Sequence, residues 1–133
     1  MANRATQPSQ NYGAGRVYCE FKFTAPGAGT TLDLTTVNGA DIVASGAHVA
    51  GTNVITLTLK DAYPAVISAS ADIRDDAGTG PYASVGNITN EGTSTPVTLK
   101  VAYFSAAGTA LNNSVAVTSV VIAFKNTSGQ GAK

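Results

Sequence analysis

The run from Val54 to Ala71, VITLTLKDAYPAVISASA, restricts the fold more than any other part of the chain. Ile55, Leu57 and Leu59 alternate with Thr56, Thr58 and Lys60, Asp61-Ala62-Tyr63-Pro64 breaks the run, and Ile67, Ala69, Ala71 and Ile73 resume it. Successive side chains of a strand point to opposite faces, so a period of two describes a sheet with one face in a core and the other turned outward. Pro64 fixes φ and Asp61 can bond its own backbone, so the segment reads as strand, tight corner, strand.

The same period recurs along the chain. Arg16 to Ala25 places Val17, Cys19, Phe21 and Phe23 inward and Arg16, Tyr18, Glu20 and Lys22 outward, and Val97, Leu99, Val101 and Tyr103 alternate with Thr98, Lys100 and Ala102. Tyr82 to Thr89 is a weaker strand interrupted by Gly86. Thr31 to Val37 offers Leu32 and Leu34 on one face, and Asn38-Gly39 then predicts a type I′ hairpin returning over Asp41 to Ser45. Gly46 to Asn53, which contains His48, reads as a loop. In the closing strand, Val115 to Lys125, the period slips: Val115 and Val117 hold one register, while Val120, Ile122 and Phe124 hold the other. Either a bulge sits near Thr118-Ser119 or both faces are buried.

No segment has a helical period. The chain is therefore expected to be all-β, an antiparallel β-sandwich or jelly roll of about eight strands with an extended N-terminal arm. Residues 1–15 form that arm, frayed or ordered by a partner, and residues 16–133 a single β-sandwich domain.

At 133 residues the chain can bury a two-layer core. Hydrophobic residues make up 44% and charged residues 12%, half the usual charged share, with a formal net charge of zero. Without a basic cluster there is no electrostatic basis for binding nucleic acid or an anionic membrane surface. A polar N-terminus without an apolar centre is not a signal peptide, which predicts a protein made in a cytoplasm. Cys19 alone cannot form an internal disulfide and reads as a small buried hydrophobe.

Catalytic and metal chemistry find little support in the residues. His48 is the one histidine, has no nucleophile near it in sequence, and reads as a surface loop residue. One Cys and one His do not make a zinc site. Asp72, Asp75 and Asp76 invite a calcium hypothesis, but their spacing fits no loop pattern and Arg74 lies among them. The expectation is a non-enzyme without cofactor or metal.

The order of features resembles the small head decoration, or cement, proteins of tailed bacteriophages. The likeness is carried by VITLTLKDAYPAVISASADIRD, by Tyr82-Ala83-Ser84-Val85-Gly86-Asn87, and by Val97 to Tyr103 leading to the apolar strand Val120 to Lys125 and then Asn126-Thr127-Ser128. It covers about Gly51 to Gly129. This resemblance implies a virion protein on the outer capsid surface, a homotrimer bound to the major capsid protein that stabilises the shell.

On that reading Arg4, Gln7, Asn11 and Tyr12 of the arm are the candidate capsid contacts, because a polar arm gains backbone hydrogen bonds when it orders against a neighbour. Val115, Val117, Val121 and Ala123 are the candidate subunit interface, on the argument that a strand apolar on both faces needs a second partner; a central strand in an ordinary core is the alternative. Thr56 and Thr58 become candidate contacts too. The competing function is a receptor- or carbohydrate-binding module of a phage head or tail, for which Tyr12, Tyr18, Tyr82 and Phe104 are the available aromatics.

Overall fold

A computed structural model describes residues 10–13, 16–74, 78–111 and 116–125, the first four of these as backbone. The described residues form strands β1 (Gln10–Gly13), β2 (Arg16–Thr24), β3 (Val43–His48), β4 (Val54–Leu59), β5 (Val66–Ile73), β6 (Tyr82–Thr89), β7 (Thr98–Phe104) and β8 (Val117–Lys125), with one 3-10 turn at Leu34–Thr36. They build two four-stranded antiparallel sheets, β1-β2-β8-β5 and β3-β4-β7-β6. The fold is thus an all-β sandwich. Hairpins join β1 to β2, β3 to β4 and β6 to β7, and the other four connections cross between sheets.

The inward residues follow the period of two. Val17, Cys19, Phe21 and Phe23 of β2 and Val120, Ile122 and Phe124 of β8 face Ile55, Leu57 and Leu59 of β4 and Leu99, Val101 and Tyr103 of β7, all buried. Removing each such large apolar side chain from water contributes about 1.5–3 kcal/mol. The core thins toward the β5/β6 side, where Ala69, Ile73, Val85 and Ile88 are half-buried.

Three segments depart from the sequence reading, and a fourth resolves an alternative it left open. Among the described residues the first sheet includes Gln10–Gly13 ahead of Arg16, because β1 pairs with β2, Asn11 lying opposite Tyr18 and Tyr12 opposite Val17. The Asn38-Gly39 hairpin does not form. Asn38 instead exchanges backbone bonds with Lys22 at 2.8 and 2.9 Å, and Gly39, at φ 91°, lies so close to β2 that a Cβ there would stand 2.7 Å from Phe21 Cβ. Asn-Gly signals a turn whatever the turn joins, and here Asp33 caps the 3-10 turn where a strand was expected.

Gly46 and His48 belong to β3 and not to a loop. A Cβ on Gly46 would lie 2.8 Å from Leu57 Cδ2 and 3.1 Å from Leu32 Cβ, so this glycine marks close approach inside a strand. Of the two alternatives for the closing strand, a bulge or burial on both faces, the bulge is absent from β8, and Ala123 is buried on the face opposite Val120, Ile122 and Phe124. Its pairing with β2 runs unbroken from Lys125 opposite Arg16 to Val117 opposite Thr24, and the irregularity lies in the neighbouring β5, between Val66 and Ser68. The slip in period arises because Thr118, a polar residue, takes an inward position with its hydroxyl 2.7 Å from that of Tyr103.

Candidate interaction surface

The two sheets present unlike outer faces. The strands of the first sheet carry Arg16, Glu20, Lys22, Asp72 and Lys125, whereas Lys100 is the one Lys, Arg, Asp or Glu in the four strands of the second. Directly opposed residues of an antiparallel pair share a face, so the register gives the outer surface of the second sheet row by row. One row runs Ser45, Thr58, Thr98, Thr89, and the next Ala47, Thr56, Lys100, Gly86. These rows are hydroxyls and small side chains around one lysine.

Beyond them the face becomes apolar. Val54, Ala102 and Ser84 are opposed in register, Val49 donates its N–H to Val54 O at 3.1 Å, and Tyr82 lies opposite Phe104. Val49 and Tyr82 are 47% and 46% exposed at the two ends of this strip, and Val54, Ala102 and Phe104 between them are half-buried. The rings of Tyr82 and Phe104 stack with centroids 5.3 Å apart and planes 22° apart. Val49 and Tyr82 are the exposed large apolar residues of this face, and Tyr18, Ile67 and Val121 those of the first sheet.

The contacts expected from sequence distribute differently. Arg4, Gln7 and Val115 lie outside the described residues. Asn11 and Tyr12 belong to β1, whose backbone is hydrogen-bonded to β2 of the same chain. Ala123 is 3% exposed, Val117 is half-buried, and Val121, 39% exposed, is the one open residue of the three on β8. The strand is central in its sheet, with β2 on one side and β5 on the other. Thr56 and Thr58, by contrast, do lie on the outer face of the second sheet, half-buried.

Neither the pairing of Tyr82 with Phe104 nor that of Val49 with Val54 is visible in the sequence. Register alone makes these neighbours, and strand order is not encoded in any single strand's period. Among the described residues no three of His, Cys, Asp and Glu come together as metal ligands, and no helix is long and apolar enough to cross a membrane.

No family model, curated protein or solved structure matches the chain.

Proposed function

We propose that the protein is a structural, non-enzymatic component of a phage particle: a capsid decoration protein that seats the outer face of its β3-β4-β7-β6 sheet on the major capsid protein. The observation that carries this reading is the contrast in charge: the strands of that sheet hold one charged residue, Lys100, and those of the other sheet hold five, whereas both sheets expose large apolar side chains, Val49 and Tyr82 at one and Tyr18, Ile67 and Val121 at the other. Desolvating charges is costly, so a face built to be covered keeps few of them.

Size bears on how such a seat would hold. Four strands about 4.8 Å apart and six residues long at about 3.3 Å per residue cover roughly 400 Å². One partner in a stable complex buries about 800 Å². Attachment through this face gains strength when several copies act together, which suits a homotrimer, since linked seats multiply their affinities through effective concentration. A ligand that binds the assembled shell and not its free subunits then stabilises the shell by its binding free energy.

The test introduces a charge where the fold tolerates it. Ala47 and Ser84 are exposed on the face and on different strands, so Ala47→Glu and Ser84→Glu should leave folding intact and abolish cosedimentation with shells of the major capsid protein. Undiminished binding by the double variant removes this face from the interface. Sedimentation of the free protein should give a trimer; a stable monomer at micromolar concentration counts against the assembly.

A second reading, a carbohydrate-binding module, is favoured by one specific observation, the exposed Tyr82 ring stacked on Phe104. Aromatic faces are natural partners for the C–H faces of sugars. Titration with oligosaccharides separates the readings: saturable binding lost in Tyr82→Ala supports the second.

A further inference from the structure

His48 ends strand β3 with 2% of its surface exposed, and both of its ring nitrogens face main-chain carbonyls: Nδ1 lies 2.7 Å from Pro26 O and Nε2 2.9 Å from Thr52 O. A carbonyl oxygen only accepts. Neutral imidazole has one N–H and one lone pair, so it can donate to one of these carbonyls while its lone pair points at the other; imidazolium donates to both.

The two carbonyls belong to different parts of the chain. Pro26 lies in the crossover from β2 to β3, and Thr52 in the turn between β3 and β4. The main chain of the same region is tied by Gly29 N–H to His48 O at 2.9 Å, His48 N–H to Thr30 O at 2.9 Å and Val49 N–H to Val54 O at 3.1 Å. The ring therefore adds a side-chain link between two connections that the main chain already ties through these bonds, the Leu32 N–H to Gly46 O bond at 2.8 Å and the Thr31–Ala47 bridge.

We infer that His48 is a proton-operated clamp: with two N–H groups it holds the Pro26 crossover and the Thr52 turn together, and loss of one proton releases one of the two. The charged groups around it leave the carbonyls as the ring's partners. Residues 24–32 and 49–55, which pack against it, contain no Asp, Glu, Lys or Arg, nor do β3 and β4. Tyr103 is the titratable residue on the adjoining part of β7, and its hydroxyl is engaged by Thr118. Asp33, the next carboxylate along the crossover, is bonded to Thr35. Val49, the residue after the clamp, forms one end of the apolar strip, so the clamp governs the order of that border of the sheet.

The test follows the wild-type protein through a pH titration by ring ¹⁵N NMR, with amide exchange of Gly29, His48 and Val49 measured on the same samples and corrected for the intrinsic pH dependence of exchange. As the ring goes from two N–H groups to one, protection at these amides should fall about tenfold, the value of one lost hydrogen bond, while Leu57 and Leu99 amides keep theirs. A ring whose proton count never changes while the protein is folded overturns the clamp. So does a ring that changes protonation with the Gly29 and Val49 amides unaffected.

Discussion

The hydroxyls of Tyr103 and Thr118 meet at 2.7 Å between the sheets, near the end of β7 and the start of β8, and join β7 of one sheet to β8 of the other. Both residues are fully buried, and Thr118 Oγ1 in turn lies 3.2 Å from Ala116 O, to which it donates. Tyr103 then donates to Thr118, and the chain of bonds satisfies every hydroxyl in it. This pair accounts for the one place where the period of β8 fails, because a threonine occupies a position that the pattern reserves for an apolar side chain.

Removing the acceptor should therefore cost more than removing a typical hydrogen bond. Thr118→Val keeps the shape but leaves the Tyr103 hydroxyl buried without that partner, an expected loss of about 1–3 kcal/mol in urea denaturation. Tyr103→Phe with Thr118→Val removes both ends and should cost less than the sum of the single changes, since the orphaned hydroxyl is gone.

Alkaline pH tests the same tyrosine. Burial, partly offset by the Thr118 hydrogen bond, pushes the Tyr103 hydroxyl up to about 12 from its ordinary value of 10.0. Above about pH 10 the unfolded chain releases this proton while the folded protein holds it, so the stability linked to Tyr103 is complete below about pH 10 and declines as pH rises toward 12. Two units correspond to about 2–3 kcal/mol. Stability measured from pH 9 to 12 should fall more steeply in the wild type than in Tyr103→Phe; parallel curves would show that the hydroxyl ionises without resistance from the fold.

Cys19 should behave as a core side chain. It is fully buried with its Sγ 3.6 Å from Tyr63 Oη, and burial raises the thiol above its ordinary value, with the Tyr63 contact working the other way and the Asp41 and Asp61 charges adding to the rise. A buried protonated thiol is a poor nucleophile. Alkylation by iodoacetamide at neutral pH should be negligible in the native protein and complete in urea, and rapid native labelling would mean that β2 opens readily.

Gly39 and Gly51 both have positive φ, 91° and 73°, but differ in surroundings. An added Cβ at Gly39 would meet Phe21 Cβ at 2.7 Å and Glu20 O at 2.9 Å, and at Gly51 it would meet nothing within 4 Å. Gly51→Ala should cost about 1 kcal/mol, from the backbone alone. Gly39→Ala adds overpacking against β2 and should cost about 2–5 kcal/mol. Thermal unfolding of the two variants distinguishes strain from crowding.

Legibility in the sequence followed the physics of each segment. Strands such as Arg16–Thr24 and Thr98–Phe104 were readable because each buries one face, and alternation records that directly. Gly46 and His48 have the local composition of a loop, and the features that place them in a strand are long-range: Gly46 makes room for Leu32 and Leu57, and His48 finds its carbonyls at Pro26 and Thr52. The outer face could be anticipated at Thr56 and Thr58. The apolar strip could not, since it needs β3, β4, β7 and β6 in that order, which local pattern leaves open.

The corner at Asp61-Ala62-Tyr63-Pro64 shows how a turn signal can hide a core residue. Proline and aspartate explain why the chain bends there, but Tyr63 explains where it goes: its ring, 8% exposed, stacks on Phe124 of the opposite sheet at 3.8 Å and 10°. The main chain around it is held by Gly92 N–H to Tyr63 O at 2.8 Å and by the Glu91 carboxylate, which accepts from Val66 N–H at 2.6 Å. The crossover from β4 to β5 is thus pinned by side-chain burial as well as by backbone preference. Pro64→Ala should cost no more than about 1 kcal/mol, chiefly through the entropy of the unfolded chain. Tyr63→Ala opens a cavity beside Phe124 and should cost about 3–5 kcal/mol. Equal losses in chemical denaturation would assign the corner to proline geometry; the larger loss at Tyr63 assigns it to the stack on Phe124.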